Sequence, residues 1–188
     1  QTGSRLQGHP DRVRLPIVEA STGSLGQGLS VAQGLAMGLR LSKSKSRVFC
    51  MVGDGEIQEG QIWEAALSAP KFKLSNLCVI LDNNGGQIDG PTEKVMPLES
   101  LRAKWESFGW HVIEVDGNNI EAVIDAYSMA RAVVEKPSVI IAHTVPGMGV
   151  DFMEYDFRWH GKAPNEEEAK VALKQLRTLG GRIRSEHD

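Results

Sequence analysis

A chain of 188 residues is long enough to bury one ordinary core and too short for several domains. Its 21 Lys and Arg against 24 Asp and Glu leave a net charge of −3 with interspersed signs, which offers no basic face and argues against nucleic acid as a partner. No stretch approaches the ~20 apolar residues of a membrane span, and the opening Gln1-Thr2-Gly3-Ser4-Arg5 lacks the apolar core of a signal peptide.

In chain order, the glycine-punctuated run Thr22 to Gly28 precedes a helical pattern in which Leu29, Ala32, Ala36 and Leu39 share one face. Gly34 and Gly38, one turn apart, read as permitting close helix packing. Val48–Val52 is short and continuously apolar, the pattern of a strand buried on both faces. Glu59 to Ala69 reads as a shorter helix, and Leu77–Leu81 as a second buried strand. Leu101 to Phe108 is again helical, and Val112–Val115 is a strand nearer an edge. Ile120, Val123, Tyr127, Ala130 and Val134 then share a helical face, and Val139–Ala142 is a last buried strand. The tail from Asn165 to Leu179 reads as a surface helix, with Asn165 as N-cap and Glu166 to Glu168 in its positive first turn. Strands separated by helices imply right-handed crossovers, hence an α/β fold with a parallel sheet and helices on both faces. Cys50 and Cys78 lie inside apolar runs, which predicts structural thiols rather than a disulfide or metal ligands, and points to a reducing, cytoplasmic setting.

In such sheets ligands sit at the C-terminal ends of the strands. Two loops there are chemically loaded. Gly53-Asp54-Gly55 follows the first strand: its glycines let backbone N–H groups approach an anion, and a helix starting near Glu59 aims its positive end the same way. Asp54 cannot bind an anion itself but can hold a cation that does. Asp82-Asn83-Asn84-Gly85-Gly86 follows the second strand. If the two strands are neighbours, Asp54 and Asn84 enter one crevice, where a carboxylate, an amide oxygen and a backbone carbonyl, completed by phosphate oxygens and water, suit Mg²⁺. Alone, Gly-Asp-Gly is most often a tight turn and the second loop a hairpin signal. The spacing fits neither a Walker A loop, nor Gly-x-Gly-x-x-Gly, nor an EF-hand, because Gln87 stands where that loop needs glycine.

The combination of these loops resembles the signature of thiamine diphosphate enzymes, and more closely the transketolase family. The likeness covers nearly the whole chain, through Gly8-His9-Pro10-Asp11, Thr22 to Gly28, Gly53 to Gly60, Ile88-Asp89-Gly90, Phe108 to Ile113, Lys136-Pro137 and Trp159 to Pro164. Its phrasing is most similar to the separate N-terminal subunit of split transketolases. The resemblance implies a thiamine diphosphate-binding fold, with Asp54, Asn84 and the Gly86 carbonyl on Mg²⁺ or Ca²⁺. It implies that Gly53, Gly55 and Glu56 belong to the diphosphate loop, with the Gly55 N–H toward the diphosphate. Ile88 would pack on the thiazolium ring, and Gly23 and Leu25 beside the aminopyrimidine. His9 would contact substrate hydroxyls, His160 the diphosphate and substrate, and Glu59 would face a partner subunit near the cofactor. Imidazole suits both histidine roles because it exchanges protons near neutral pH. His111, His143 and His187 match no role. The sequence opens in mid-motif without Met, so the expectation is one domain over residues 1–188 that lacks its native N-terminal extension, together with the histidines the family carries there.

The implied activity is transfer of a two-carbon ketol unit between sugar phosphates. The glutamate that activates the aminopyrimidine would come from a pyrimidine-binding partner, either a separate subunit or a second copy in a homo-oligomer. Two other readings remain: another thiamine diphosphate enzyme, of the 2-oxo-acid dehydrogenase or deoxyxylulose-phosphate synthase type, or a non-catalytic cofactor-binding module. Gly8-His9-Pro10 and His160 to Pro164 favour the transketolase reading.

Overall fold

The computed structural model describes residues 4–98 and 100–176. In chain order the elements are α1 (Gln27–Leu41), β1 (Val48–Gly53), α2 (Gly60–Lys71), β2 (Leu77–Asn83), β3 (Gly86–Gln87), β4 (Gly90–Pro91), α3 (Thr92–Val95), α4 (Leu101–Ser107), β5 (His111–Asp116), α5 (Ile120–Ala132), β6 (Ser138–His143) and α6 (Glu166–Gln175), with 3-10 turns at Glu56–Gln58 and Phe157–Trp159. Four strands form one parallel sheet in the order β1-β2-β6-β5, so β5 lies at an edge as its composition predicts. β3 and β4 form a small antiparallel hairpin beyond the end of β2.

Alternation along the strands divides the core between two faces. Val52, Val79, Leu81 and Ile141 face α1 and α2, where Leu29, Ala36, Ile62 and Ala66 are buried. On the opposite face Cys78, Ile113 and Ile140 pack under Ala126 and Ala130 of α5. Both cysteines are free and buried. Trp63, Trp105, Trp110 and Phe108 cluster beside α2, with ring centroids 5.0–5.4 Å apart. The Trp110 Nε1–H donates to the Ala66 carbonyl and the Trp63 Nε1–H to the Ile57 carbonyl, so these two indoles satisfy their polar atoms, whereas the buried Trp105 Nε1–H has no partner among the described residues. The Arg40 guanidinium donates to the Phe72 and Lys73 carbonyls, joining α1 to the negative end of α2.

Two expectations need correction. β1 is an edge strand, not one buried on both faces: Phe49 and Met51 are 47% and 70% exposed. They share a face with Cys78 and Ile80, but α5 lies over β5 and β6 and reaches β1 through the Tyr127–Phe49 ring contact. The α5 face is also narrower than its sequence pattern. Ile120 is exposed in the first turn, which Asn119 caps, and Val134 lies beyond the last turn. α6 carries its Asn165 cap with a reciprocal Glu168 contact; the part of the expected helix from 177 to 179 lies outside the described residues. Among the described residues, no helix is long and apolar enough to cross a membrane.

Candidate functional site

The sheet brings the two loaded loops together. Gly53 pairs with Asp82, and the Asp54 N–H donates to the Asp82 carbonyl at 3.1 Å, so the turns after β1 and β2 begin side by side. Asp54 is 2% exposed. Its Oδ1 accepts the Gly55 N–H at 2.7 Å, and its Oδ2 accepts the Gly85 N–H at 2.8 Å and the Thr92 hydroxyl at 3.0 Å. Three donors leave about one acceptor position of the carboxylate open. Burial holds the Asp54 carboxyl above its ordinary range despite those hydrogen bonds, and the negative charge of Asp82 adds to the effect. Among the described residues no Lys or Arg pairs with Asp54 or Asp82. A buried carboxylate beside a second one, with no cation to balance either, fits a hard divalent ion.

Asn84 is held in a defined orientation. Its Nδ2 donates to Asp82 Oδ2 at 2.9 Å, and its Oδ1 accepts the Gly86 N–H at 2.9 Å. Asp82 Oδ1 in turn accepts the Thr144 hydroxyl, which ties the loop to the end of β6. With the nitrogen turned to Asp82, the Asn84 oxygen is the atom left for a ligand. Gly86 follows in β3, where an added Cβ would meet nothing closer than 3.6 Å. Space therefore does not dictate glycine there. Ile88, at the hairpin, is 76% exposed. An amide pair straps the hairpin over the Asp54 loop: Gln58 Nε2 donates to Gln87 Oε1 at 2.7 Å and to the Met96 carbonyl at 3.1 Å.

The other expected residues gather in pairs. The His9 ring lies against Gly23, where an added Cβ would meet it at 3.0 Å. Glu59 precedes α2, and its Cβ would stand 3.0 Å from a Cβ on Gly26, whose φ of +86° also requires glycine. Leu25 is 58% exposed between these pairs. The Glu56 carboxylate accepts the N–H groups of Gly26 and Gly53. With the Gly55 N–H on Asp54, the loop's amides are engaged internally in this conformation rather than free for an anion. His160 lines a cleft of about 660 Å³ together with Asn84, Gly86, Phe157 and Trp159. Lys162 lies 4.1 Å over the Trp159 ring. Asp54 and Thr92 line an adjoining cleft of about 460 Å³, and the two clefts meet at Asn83, Gly85 and His143.

Sequence reasoning misses several of these groups. Thr92 lies two residues beyond the Ile88-Asp89-Gly90 match, and Thr144 follows β6; a hydroxyl directly after a strand or turn is the signal both offer. His143, given no role from sequence, links Asn83 to Glu114: Asn83 Nδ2 lies 3.0 Å from its Nδ1, and Glu114 Oε2 lies 3.1 Å from its Nε2. Arg102 completes the chain at 2.6 Å from Glu114 Oε1. The His143 hydrogen bond, then Arg102, hold the Glu114 carboxyl below its ordinary range.

Known proteins share this sequence family and fold. The family described as "Transketolase, thiamine diphosphate binding domain" matches residues 1–180. The chain is 41% identical over 174 residues to one subunit of the apulose-4-phosphate transketolase of Phocaeicola vulgatus, covering 93% of this chain and 62% of that protein. It is 39% identical over 178 residues to the 6-deoxy-6-sulfo-D-fructose transketolase subunit SqwG of a Clostridium species, covering 95% and 65%. The crystal structure of transketolase from Campylobacter jejuni superposes with a TM-score of 0.85 at 32% identity, covering 93% of this chain and 28% of that one. The chain thus spans less than two thirds of the length of these relatives. Matched over nearly its full length in sequence and fold, it belongs to the transketolase thiamine diphosphate-binding domain family.

Proposed function

We propose that this chain is the diphosphate-binding component of a transketolase that transfers a two-carbon ketol unit between sugar phosphates. The observation that carries this reading is the buried, cation-free carboxylate of Asp54, set beside the oriented amide of Asn84 at adjacent strand ends. Asp54, the Asn84 Oδ1 and the Gly86 carbonyl would hold Mg²⁺, or Ca²⁺, and the ion would neutralise a diphosphate on the same rim. When bound, thiamine diphosphate supplies the electron sink for breaking the carbon–carbon bond beside a ketose carbonyl.

The chain's own residues do the rest. Gly53, Gly55 and Glu56 shape the loop under the diphosphate, Ile88 offers an apolar side chain to the thiazolium, and Gly23 and Leu25 flank the aminopyrimidine. His160, on the cleft wall with Asn84, and His9, against Gly23, orient substrate hydroxyls and exchange protons with them. Glu59 faces the partner. The pyrimidine-activating glutamate comes from another domain or polypeptide, an assignment supported by relatives whose names make them single subunits of transketolases. The two free, buried thiols accord with a cytoplasmic enzyme.

Asp54→Ala removes the charged ligand. Calorimetry should find Mg²⁺-dependent thiamine diphosphate binding abolished while the circular dichroism spectrum holds; unaltered affinity refutes the assignment. Mixed with its pyrimidine-binding partner, the chain should transfer two-carbon units from a ketose phosphate and not decarboxylate pyruvate.

A further inference from the structure

Glu56 joins two backbone segments that are remote in sequence, one through each carboxylate oxygen. Its Oε1 accepts the Gly26 N–H at 3.0 Å and its Oε2 the Gly53 N–H at 3.1 Å. The first amide begins α1 after the Gly23–Leu25 run; the second ends β1 at the Asp54 loop. Glu56 and Gly26 are 30 residues apart, and no other side-chain hydrogen bond among the described residues joins these two loops. The Val48 and Asp54 N–H groups donate to the β2 side, so by alternation the Gly53 N–H points off the open edge of the sheet, where Glu56 meets it. Gly26 carries no side chain, and at φ +86° a Cβ added there would stand 3.0 Å from the Glu59 Cβ, so the loop is not held here by a side chain of its own. Hydrogen bonds from N–H groups to a carboxylate are among the stronger ones.

We propose that Glu56 is a positioning residue, a carboxylate clamp that fixes the distance between the Gly23–Gly26 loop and the Gly53–Gly55 loop and so sets the span between the two ends of the cofactor cradle. The proposal deepens the reading of this cleft as a thiamine diphosphate site and rests on it. Glu56 does not contact the cofactor through its carboxylate; both oxygens are engaged by the protein. Its contribution is to hold the aminopyrimidine side and the diphosphate side in register, which matters for a ligand that touches both and not for one that touches only the diphosphate loop.

Glu56→Gln tests this with two probes and one measurement that needs neither. The glutamine amide presents one acceptor and one donor, so one of the two N–H groups loses its partner. In the chain without cofactor, hydrogen exchange at the Gly26 or Gly53 amide should rise by about tenfold, with distant core amides unchanged. Unchanged exchange at both amides overturns the clamp. Calorimetry with Mg²⁺-pyrophosphate and with Mg²⁺-thiamine diphosphate then separates positioning from general loosening. The clamp predicts that thiamine diphosphate loses about tenfold in affinity while pyrophosphate keeps its own. Equal losses on both probes, or no loss on either, overturn it. If the unaltered chain binds neither probe, the cofactor reading falls, and the exchange measurement still decides the clamp.

Discussion

Gly55→Ala separates folding from binding at this site. Gly55 has φ −62° and ψ −33°, a helical conformation open to any residue, so alanine should stabilise by about 0.4–1 kcal/mol through the unfolded chain. The added methyl is the difficulty: it would stand 3.1 Å from the Gln87 Cβ and 3.5 Å from Gln87 Oε1. Carbon–carbon contacts settle at about 3.5–4.0 Å, so the β3–β4 hairpin must recede by roughly 0.5 Å. Overpacking of that kind costs about 1–3 kcal/mol. The net change is a destabilisation of roughly 0–2.5 kcal/mol, or at most ~10 °C in melting temperature for a chain of this size. Binding should suffer more, because the hairpin carries Gly86 and abuts Asn84, and a displacement of about 0.5 Å reaches the limit that such sites tolerate. Mg²⁺-thiamine diphosphate affinity should fall by about tenfold or more in calorimetry. Gly55→Ala combined with Gln87→Gly removes the clash and, measured against Gln87→Gly alone, which already lacks the Gln58 strap, should recover most of that affinity. Wild-type affinity in the single variant, or no recovery in the double, refutes the reasoning.

Asp82 should modulate the ion without holding it. Asp82→Ala frees the Asn84 amide to turn, and metal affinity should drop by about 10–100-fold. Asp82→Asn should cost less, because its oxygen still accepts from Asn84 and the Thr144 hydroxyl can reverse to accept. Titrating both variants with Mg²⁺ by calorimetry checks the order. A third expectation concerns pH. Burial raises the Asp54 carboxyl, so its contribution to the stability of the metal-free chain is fully present below about pH 4 and lost as pH rises through the raised value. A cation reverses the sign, since it binds the ionised form. The increase in melting temperature on adding Mg²⁺ should therefore grow with pH from about 4 upward, and Asp54→Asn should flatten it. A Mg²⁺ increment that shrinks with pH contradicts this.

Strand identity is legible because buried parallel strands are continuous apolar runs, and Val48–Val52, Leu77–Leu81 and Val139–Ala142 each form one. Their adjacency is not, since nothing local in Leu77–Leu81 states that it lies between β1 and β6. The exposure of Phe49 and Met51 is equally hidden: it depends on where α5 rests, not on β1 itself. In the site, Asp54 and Asn84 are readable because glycine punctuation marks strand ends. Their partners are not, because Thr92, Thr144, Gln58 and Gln87 are ordinary polar residues whose meaning comes from contacts 29 to 62 residues away in sequence. Glu56 reads as part of the loop, but the direction of its side chain requires knowing that Gly26 is close.

The four tryptophans divide between two environments. Trp105 and Trp110 are buried in the core with the half-buried Trp63 packed against Trp105, whereas Trp159 lines the larger cleft with Lys162 above it. Intrinsic fluorescence therefore contains two separable signals. Trp105 and Trp110, buried and shielded from a dissolved quencher such as acrylamide, report global unfolding. Trp159, reached by the quencher, reports occupancy of the cleft, and a Trp159→Phe variant would leave a chain whose emission follows folding alone.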